Sequence, residues 1–161
     1  MSDFTLRPAT PADTPEILRL IGALAEYEKL ADMAVGTQAQ LHEALFGKRP
    51  SCEALVALHG GRTVAFAIYF TTFSTFLCKP GIYLEDLFVE PEHRGSGIGK
   101  ALLQRLAAMV LERGGGRFEW RVLDWNEPSI RFYESLGGVI MQEWLLVRLT
   151  GQPLERLAAN R

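Results

Sequence analysis

The chain has 161 residues, 48% of them hydrophobic and 22% charged, with a formal net charge of -2. That length predicts one domain over residues 1–161 with a single sizeable core, and the weakly acidic balance excludes a surface built for a phosphate backbone. The apolar run through Ala65 to Phe70 falls far short of the roughly 20 residues of a membrane-spanning helix.

The opening stretch MSDFTLRPATPADT lacks the basic end and apolar centre of a secretory signal, so a cytoplasmic chain is expected. Residues 3–8, DFTLRP, predict a short strand ending at Pro8. Ile17, Leu18, Leu20, Ile21, Leu24 and Ala25 recur at helical spacing between Pro11 and Tyr27, with Thr10 and Asp13 offering capping oxygens, and predict a first helix. TQAQLHEALFG predicts a second, capped by Thr37 and stopped by Gly47 in the left-handed conformation. CEALVALH and RTVAFAIYFTTF, joined by Gly60-Gly61, predict a hairpin with a two-residue turn.

A loop rich in Thr, Ser and Gly then leads to the strand IYLEDLFVE. A glycine-containing turn follows, and a helix from about Ile98 to Arg113 that ends at the glycines of 114–116. RFEWRVL predicts a strand. NEPSIRFYESLG predicts a helix with Asn126 as cap, Pro128 in the first turn and Gly137 at the stop. EWLLVRLT predicts a closing strand with more apolar residues than one buried face requires, and the tail a short helix. The order implies a mixed α/β (α+β) domain whose sheet is largely antiparallel in its first half.

Cys52 and Cys78 have no metal-like spacing and are expected to be two buried free thiols. His42, His59 and His93 are scattered, and surface positions with no metal are expected for all three. HRGSGIGKALL, residues 93–103, follows a strand and opens a helix, where backbone N–H groups and the helix dipole converge on an anion. A P-loop fails, because Arg94 stands where it needs glycine and Ala101 follows Lys100. A dinucleotide fingerprint lacks its third glycine at Lys100. A plain strand-to-helix turn using glycine for positive φ is the alternative to an anion site.

The remaining pattern, Arg94-x-x-Gly97-x-Gly99, together with YLEDLFV before it and DWNEPSIRFYESLG after it, resembles the GCN5-related N-acetyltransferase (GNAT) family. The resemblance runs from LRPATPAD onward. AEYEKL, FSTFLCKPGIYLEDLFV and WNEPSIRFYESLG are similar to its diamine (spermidine/spermine) and thialysine acetyltransferase branch.

The resemblance implies a sheet splayed at the fourth strand with helices on both faces, and acetyl-CoA as donor. In such a fold the backbone of Leu87, Phe88 and Val89 binds the pantetheine arm. Arg94, Gly95, Ser96, Gly97, Ile98, Gly99 and Lys100 hold the pyrophosphate, and Asn126, Ser129 and Tyr133 also belong to the cofactor side. Tyr133 carries the family's general-acid role, since a phenol with a pKa near 10 can protonate a departing thiolate. Glu85 is implied to face the acceptor amine and draw off its proton through water, with Asp86 in a supporting role. On a regular strand only one of these two neighbours can look into a given site, unless a bulge intervenes.

Tyr27 and Glu28 stand where family members grip the acceptor. One of Glu119 and Trp120 should face the same pocket. Phe76 and Cys78 depart from the tryptophan and glycine common in relatives. The implied reaction is transfer of acetyl to a primary amine of a polyamine or lysine-like amino acid by direct attack on the thioester, in a homodimer without nucleic acid or membrane partners. Acetylation of a protein lysine or N-terminus, and a non-catalytic acetyl-CoA-binding module, are the competing readings.

Overall fold

Alternating apolar residues build the sheet in this computed structural model, which describes residues 3–159. The chain divides into two compact units after Arg121. In the first, β1 (Phe4–Pro8), β2 (Glu53–His59), β3 (Arg62–Ser74) and β4 (Lys79–Val89) pair antiparallel in sequential order. β5 (Arg117–Trp120) adds parallel to β4. Gly60 and Gly61 turn the β2–β3 hairpin at φ of 56° and 80°, as the two-residue turn requires.

Ala54, Val56, Phe66, Ile68 and Phe88 cover one face of the sheet and pack on Ile17, Leu20 and Leu24 of α1 (Thr14–Tyr27) and Leu45 of α2 (Gln38–Phe46). The intervening residues Leu55, Ala57, Ala65, Ala67 and Tyr69 are buried as well. They belong to the opposite face, where α3 (Ile98–Glu112) buries Ile98, Leu102, Leu103, Leu106, Met109 and Val110. Each such large side chain contributes about 1.5–3 kcal/mol of hydrophobic stabilisation, so helices on both faces hold the sheet where the site is built.

Several local expectations are corrected. The first helix starts at Thr14, after a 3-10 turn over Pro11–Asp13. Asp13 accepts from the Thr10 amide at 2.7 Å and from both Arg7 nitrogens at 2.6 and 2.8 Å, and the Arg7 guanidinium holds its carboxyl down at about 2. Thr37 does cap α2, but Gly47 follows it at φ -68°, outside the left-handed region. Glycine serves there by making room, since a Cβ would run into Glu43.

The loop expected before the fourth strand shrinks to the turn Thr75–Cys78, because β3 runs on to Ser74 and β4 begins at Lys79. β5 ends at Trp120, short of the predicted RFEWRVL. Cys52 is half-buried, with Sγ donating to the Ala44 carbonyl at 3.8 Å, whereas Cys78 is exposed in its turn, so two buried thiols are not found.

The second unit holds α4 (Glu127–Ser135) and α5 (Gly151–Ala159). The predicted strand EWLLVRLT does not form. A strand needs a neighbour to satisfy its backbone, and these residues stay open, with Trp144 71%, Leu145 86% and Val147 87% exposed. No helix among the described residues is long and apolar enough to cross a membrane.

Cys78 holds φ at +49°, a left-handed conformation that a side chain disfavours. The turn therefore needs what glycine supplies. Cys78→Gly is expected to raise stability by about 1 kcal/mol in urea unfolding, and an unchanged or lower midpoint would show that the turn is unstrained.

Candidate active site

Ile68 stands opposite Asp86 and Tyr69 opposite Leu84, so Glu85 is an unpaired extra residue in β4. This β-bulge breaks the alternation. Asp86 joins the face of Ile68, the α1 side, instead of repeating the face of Leu84, and Glu85 is displaced beside it. The pairing of β4 with β5 stops at the same place, with Leu84 opposite Trp120 as its last pair. From Glu85 to Val89 the edge that β5 had covered is paired by no strand among the described residues. The Glu90 amide donates back to the Val64 carbonyl of β3 at 3.0 Å. The Val89 carbonyl of the same trans peptide therefore points the other way, and there it accepts from Arg94 Nε at 3.0 Å.

Three carboxylates gather on the α1 side of this opening. Asp86 is half-buried, and burial, reinforced by the charges of Glu85 and Glu28, pushes its carboxyl up to about 6, with Arg121 pulling the other way. Glu28, at the C-terminal end of α1, is also raised by burial. Glu85 itself is exposed. Burial raises the Tyr83 phenol, and its ring stacks on Phe70 at 5.2 Å. Glu119 is opposite Tyr83, and Trp120 opposite Leu84, so Glu119 is the member of that pair on the face of Asp86. Its carboxylate is held by Arg117 Nε at 2.7 Å. The Arg121 guanidinium lies 5.5 Å from the Tyr83 ring centroid.

The glycine loop is fixed from outside. The Arg94 guanidinium rests 4.8 Å from the Tyr27 ring and 5.4 Å from the Phe88 ring, so Tyr27 anchors the loop as well as bordering Glu28. Gly95 and Gly97 take φ of 76° and 89°. An added Cβ at either would meet nothing within 4 Å. Backbone conformation therefore demands glycine there, and the space before it is open. The first α3 bond runs from the Ala101 amide to the Gly97 carbonyl, which leaves the amides of Ile98, Gly99 and Lys100 as orphan donors. Ile98 anchors the turn with a buried side chain, Ser96 Oγ donates to the His93 carbonyl at 2.5 Å, and Lys100 is exposed. This cradle fits an anionic pyrophosphate.

In the second unit the Asn126 side chain is buried and accepts from the Ser129 amide at 3.4 Å, capping α4 as expected. Gly137, at φ 90°, ends the helix. The Gly138 amide donates to the Tyr133 carbonyl at 3.0 Å and the Gly137 amide to Glu134 at 2.9 Å, a Schellman terminator. It fixes the backbone of Tyr133, whose ring lies 5.6 Å from that of Phe132.

The histidines are less scattered than expected. His59 and His93 rings lie 4.9 Å apart, and ligand atoms of Glu90, Glu92 and His93 fall within 4.8 Å of one another. Glu90 Oε1 is already taken by Arg19 at 2.7 Å and Arg62 at 2.6 Å, two cations that oppose a third. A cleft of 580 Å³ nearby is lined by Arg7, Asp13, Glu16, Arg19 and Arg62 among others. Its charges pair with one another, Arg7 with Asp13 and Arg19 with Glu16, and no candidate residue lines it.

A family model described as acetyltransferase (GNAT) family matches residues 22–138. The chain belongs to this family. It is 35% identical to a thialysine N-epsilon-acetyltransferase of Sus scrofa, over 99% of this chain and 100% of the relative. It is 31% identical to an L-ornithine N5-acetyltransferase of Arabidopsis thaliana, over 94% and 86%. An integron cassette protein of V. cholerae shares the fold, with a TM-score of 0.83, 24% identity and 99% of each chain covered. The protein is thus a GNAT N-acetyltransferase, and enzymes of this family use acetyl-CoA as cosubstrate.

Sequence reasoning gave Asp86 a minor place and passed over Arg121 and Tyr83. The adjacency of Glu85 and Asp86 was the one signal, because two neighbouring carboxylates on a half-buried strand call for a bulge. For Arg121 the signal was its spacing of two from Glu119. Gly97→Val is expected to weaken acetyl-CoA binding by about 10²-fold or more in calorimetry, through a side chain in the approach and a strained φ. Unchanged affinity would remove the loop from the site.

Proposed function

We propose that the acceptor is a small molecule carrying a primary amine, a polyamine or a lysine-like amino acid, and that it binds on the α1 side of the splay. The observation that carries this reading is the gathering of Glu28, Glu85 and Asp86 around the bulge. Carboxylates so placed attract an ammonium group and hold it by charge-assisted hydrogen bonds. Tyr27 and Glu119 border the same site. Before it can attack a carbonyl, the ammonium must lose a proton, and Glu85 takes that proton through water. Asp86 supports it, since a carboxyl titrating near 6 is a better proton acceptor at neutral pH than an ordinary one.

Bound acetyl-CoA supplies an acyl group activated as a thioester. Leu87, Phe88 and Val89 offer backbone to its arm, and Arg94, Gly95, Ser96, Gly97, Ile98, Gly99 and Lys100 receive the pyrophosphate. Asn126 and Ser129 fix the helix that presents Tyr133, and Tyr133 protonates the departing thiolate. These roles rest on the family's motif at FYE and on the orphan amides of α3. The proposal treats residues 1–161 as one acetyltransferase domain of the cytoplasm, where the exposed Cys78 thiol stays reduced.

Thiol release from acetyl-CoA with a panel of amines tests the reaction. Tyr133→Phe is expected to keep cofactor binding and lose about 10²-fold in turnover at every pH. Glu85→Gln should recover as pH rises and more amine arrives neutral. The wild type should lose activity as pH falls through about 6, where Asp86 takes up its proton, and Asp86→Asn should lack that limb. Parallel losses in the Tyr133 and Glu85 variants across the pH range would refute this division of roles.

The homodimer is part of the same proposal. Residues 138–150 expose Val139, Trp144, Leu145, Leu146 and Val147, and β5 ends the sheet with an edge that no strand among the described residues pairs. Both are surfaces that a second copy would cover. Light scattering should report about twice the 18.0 kDa chain mass, and the mass of one chain at micromolar concentration would exclude the dimer.

A further inference from the structure

Arg121 does not fit a pocket made only for cations. On β5, Glu119 shares the face of Tyr83 and Trp120 that of Leu84, and Arg121, the residue after the strand ends, returns to Tyr83. Its guanidinium lies 5.5 Å from the Tyr83 ring centroid, and its charge is felt at Asp86 together with those of Glu85 and Glu28. Among the described residues no carboxylate lies within 4.0 Å of it, whereas the neighbouring Arg117 is paired with Glu119 at 2.7 Å and Arg113 with Glu53 at 2.6 Å. An exposed, always-charged group that hydrogen-bonds the Tyr83 phenol thus acts on Asp86, itself under the charges of Glu85 and Glu28, without forming a close ion pair among the described residues.

A polyamine presents ammonium groups alone, and a fixed cation in its site repels it. An α-amino acid with a side-chain amine presents ammonium groups and a carboxylate, and needs both signs of charge in one site. A guanidinium is suited to the second task because its planar fork matches a carboxylate in a bidentate pair, and an aromatic ring beneath it fixes its plane. We propose that Arg121 receives the carboxylate of the acceptor while Glu28, Glu85 and Asp86 face its ammonium groups, so that the site selects an amino acid over the diamine of equal length. The inference rests on the acceptor site proposed above. It adds a discriminating element, since a like charge set against the wrong substrate gives specificity as effectively as an attraction to the right one.

L-Ornithine and putrescine differ only in the carboxylate, as do L-lysine and cadaverine. Wild type, Arg121→Gln and Arg121→Lys would be assayed for thiol release with all four. The wild type is expected to favour the amino acid of each pair. Arg121→Gln should lower the amino-acid-to-diamine ratio of kcat/KM by ten-fold or more, chiefly through KM of the amino acid, and Arg121→Lys should keep part of the preference. Equal loss on both members of a pair, or an unchanged ratio, would overturn the role of Arg121 while leaving the acetyltransferase reading intact. If the wild type acetylates none of the four, the acceptor proposed above is wrong for these amines. Calorimetric titration of the same four ligands then decides, and carboxylate-independent binding, or no binding, overturns the inference as well.

Discussion

The site depends on one extra residue. Glu85 has no partner on β3, and its insertion changes which face every later β4 side chain occupies. Without it Asp86 would follow Leu84 toward α3 and Phe88 would leave the α1 core. With it, Phe88 packs among Ile17, Leu20 and Leu24, and Asp86 stands beside Glu85 on one side. The bulge also coincides with the end of β5 pairing at Leu84. A local increase in twist is what a bulge produces, and a strand turned away from its neighbour leaves its backbone edge uncovered. The same insertion brings Glu85 and Asp86 together, at the point where β5 stops covering β4.

Arg94 ties these parts together. It donates to the Val89 carbonyl on the open edge and lies against Tyr27 at the end of α1 and Phe88 in the core. One side chain thereby links the helix that carries Glu28, the splayed strand and the first residue of the glycine loop. Arg94 is exposed, and a guanidinium over aromatic rings at such a site contributes about 0.5–1 kcal/mol, which helps define the loop while Gly95 and Gly97 give it the conformation that leaves three α3 amides outside the helical bonding.

Most of the framework was legible in the sequence because local rules decide it. The Gly60-Gly61 turn, the Thr37 and Asn126 caps and the Gly137 stop each depend on neighbours in sequence, and they read correctly. Gly47 misled because a glycine needed for room next to Glu43 looks the same as one needed for left-handed φ. The full length of the β3–β4 hairpin was hidden by Lys79, Pro80 and Gly81, which read as loop by composition yet pair with Ser74, Phe73 and Thr72. EWLLVRLT has a strand's composition, yet strand formation depends on a partner that no single segment encodes. The face of Asp86 required the register across β3, a long-range property, so the sequence could pose the question of the paired carboxylates without answering it.

The electrostatics around Asp86 run against the stability of the free protein. The Asp86 carboxyl is raised from 3.8 to about 6, first by burial and then by Glu85 and Glu28. A carboxyl whose folded pKa lies above its unfolded value binds more protons in the folded state between those two pH values, so stability falls as pH rises from about 4 to 6 and the deficit persists at neutral pH. Glu28, also raised by burial, acts in the same direction. A fold gains nothing from two buried-side carboxylates that repel each other. In the acceptor site proposed above, a bound ammonium would remove the repulsion and lower the proton affinity of both groups, coupling acceptor binding to release of the protons they hold. Arg121 already relieves part of this strain at Asp86, from a position beside the Tyr83 ring.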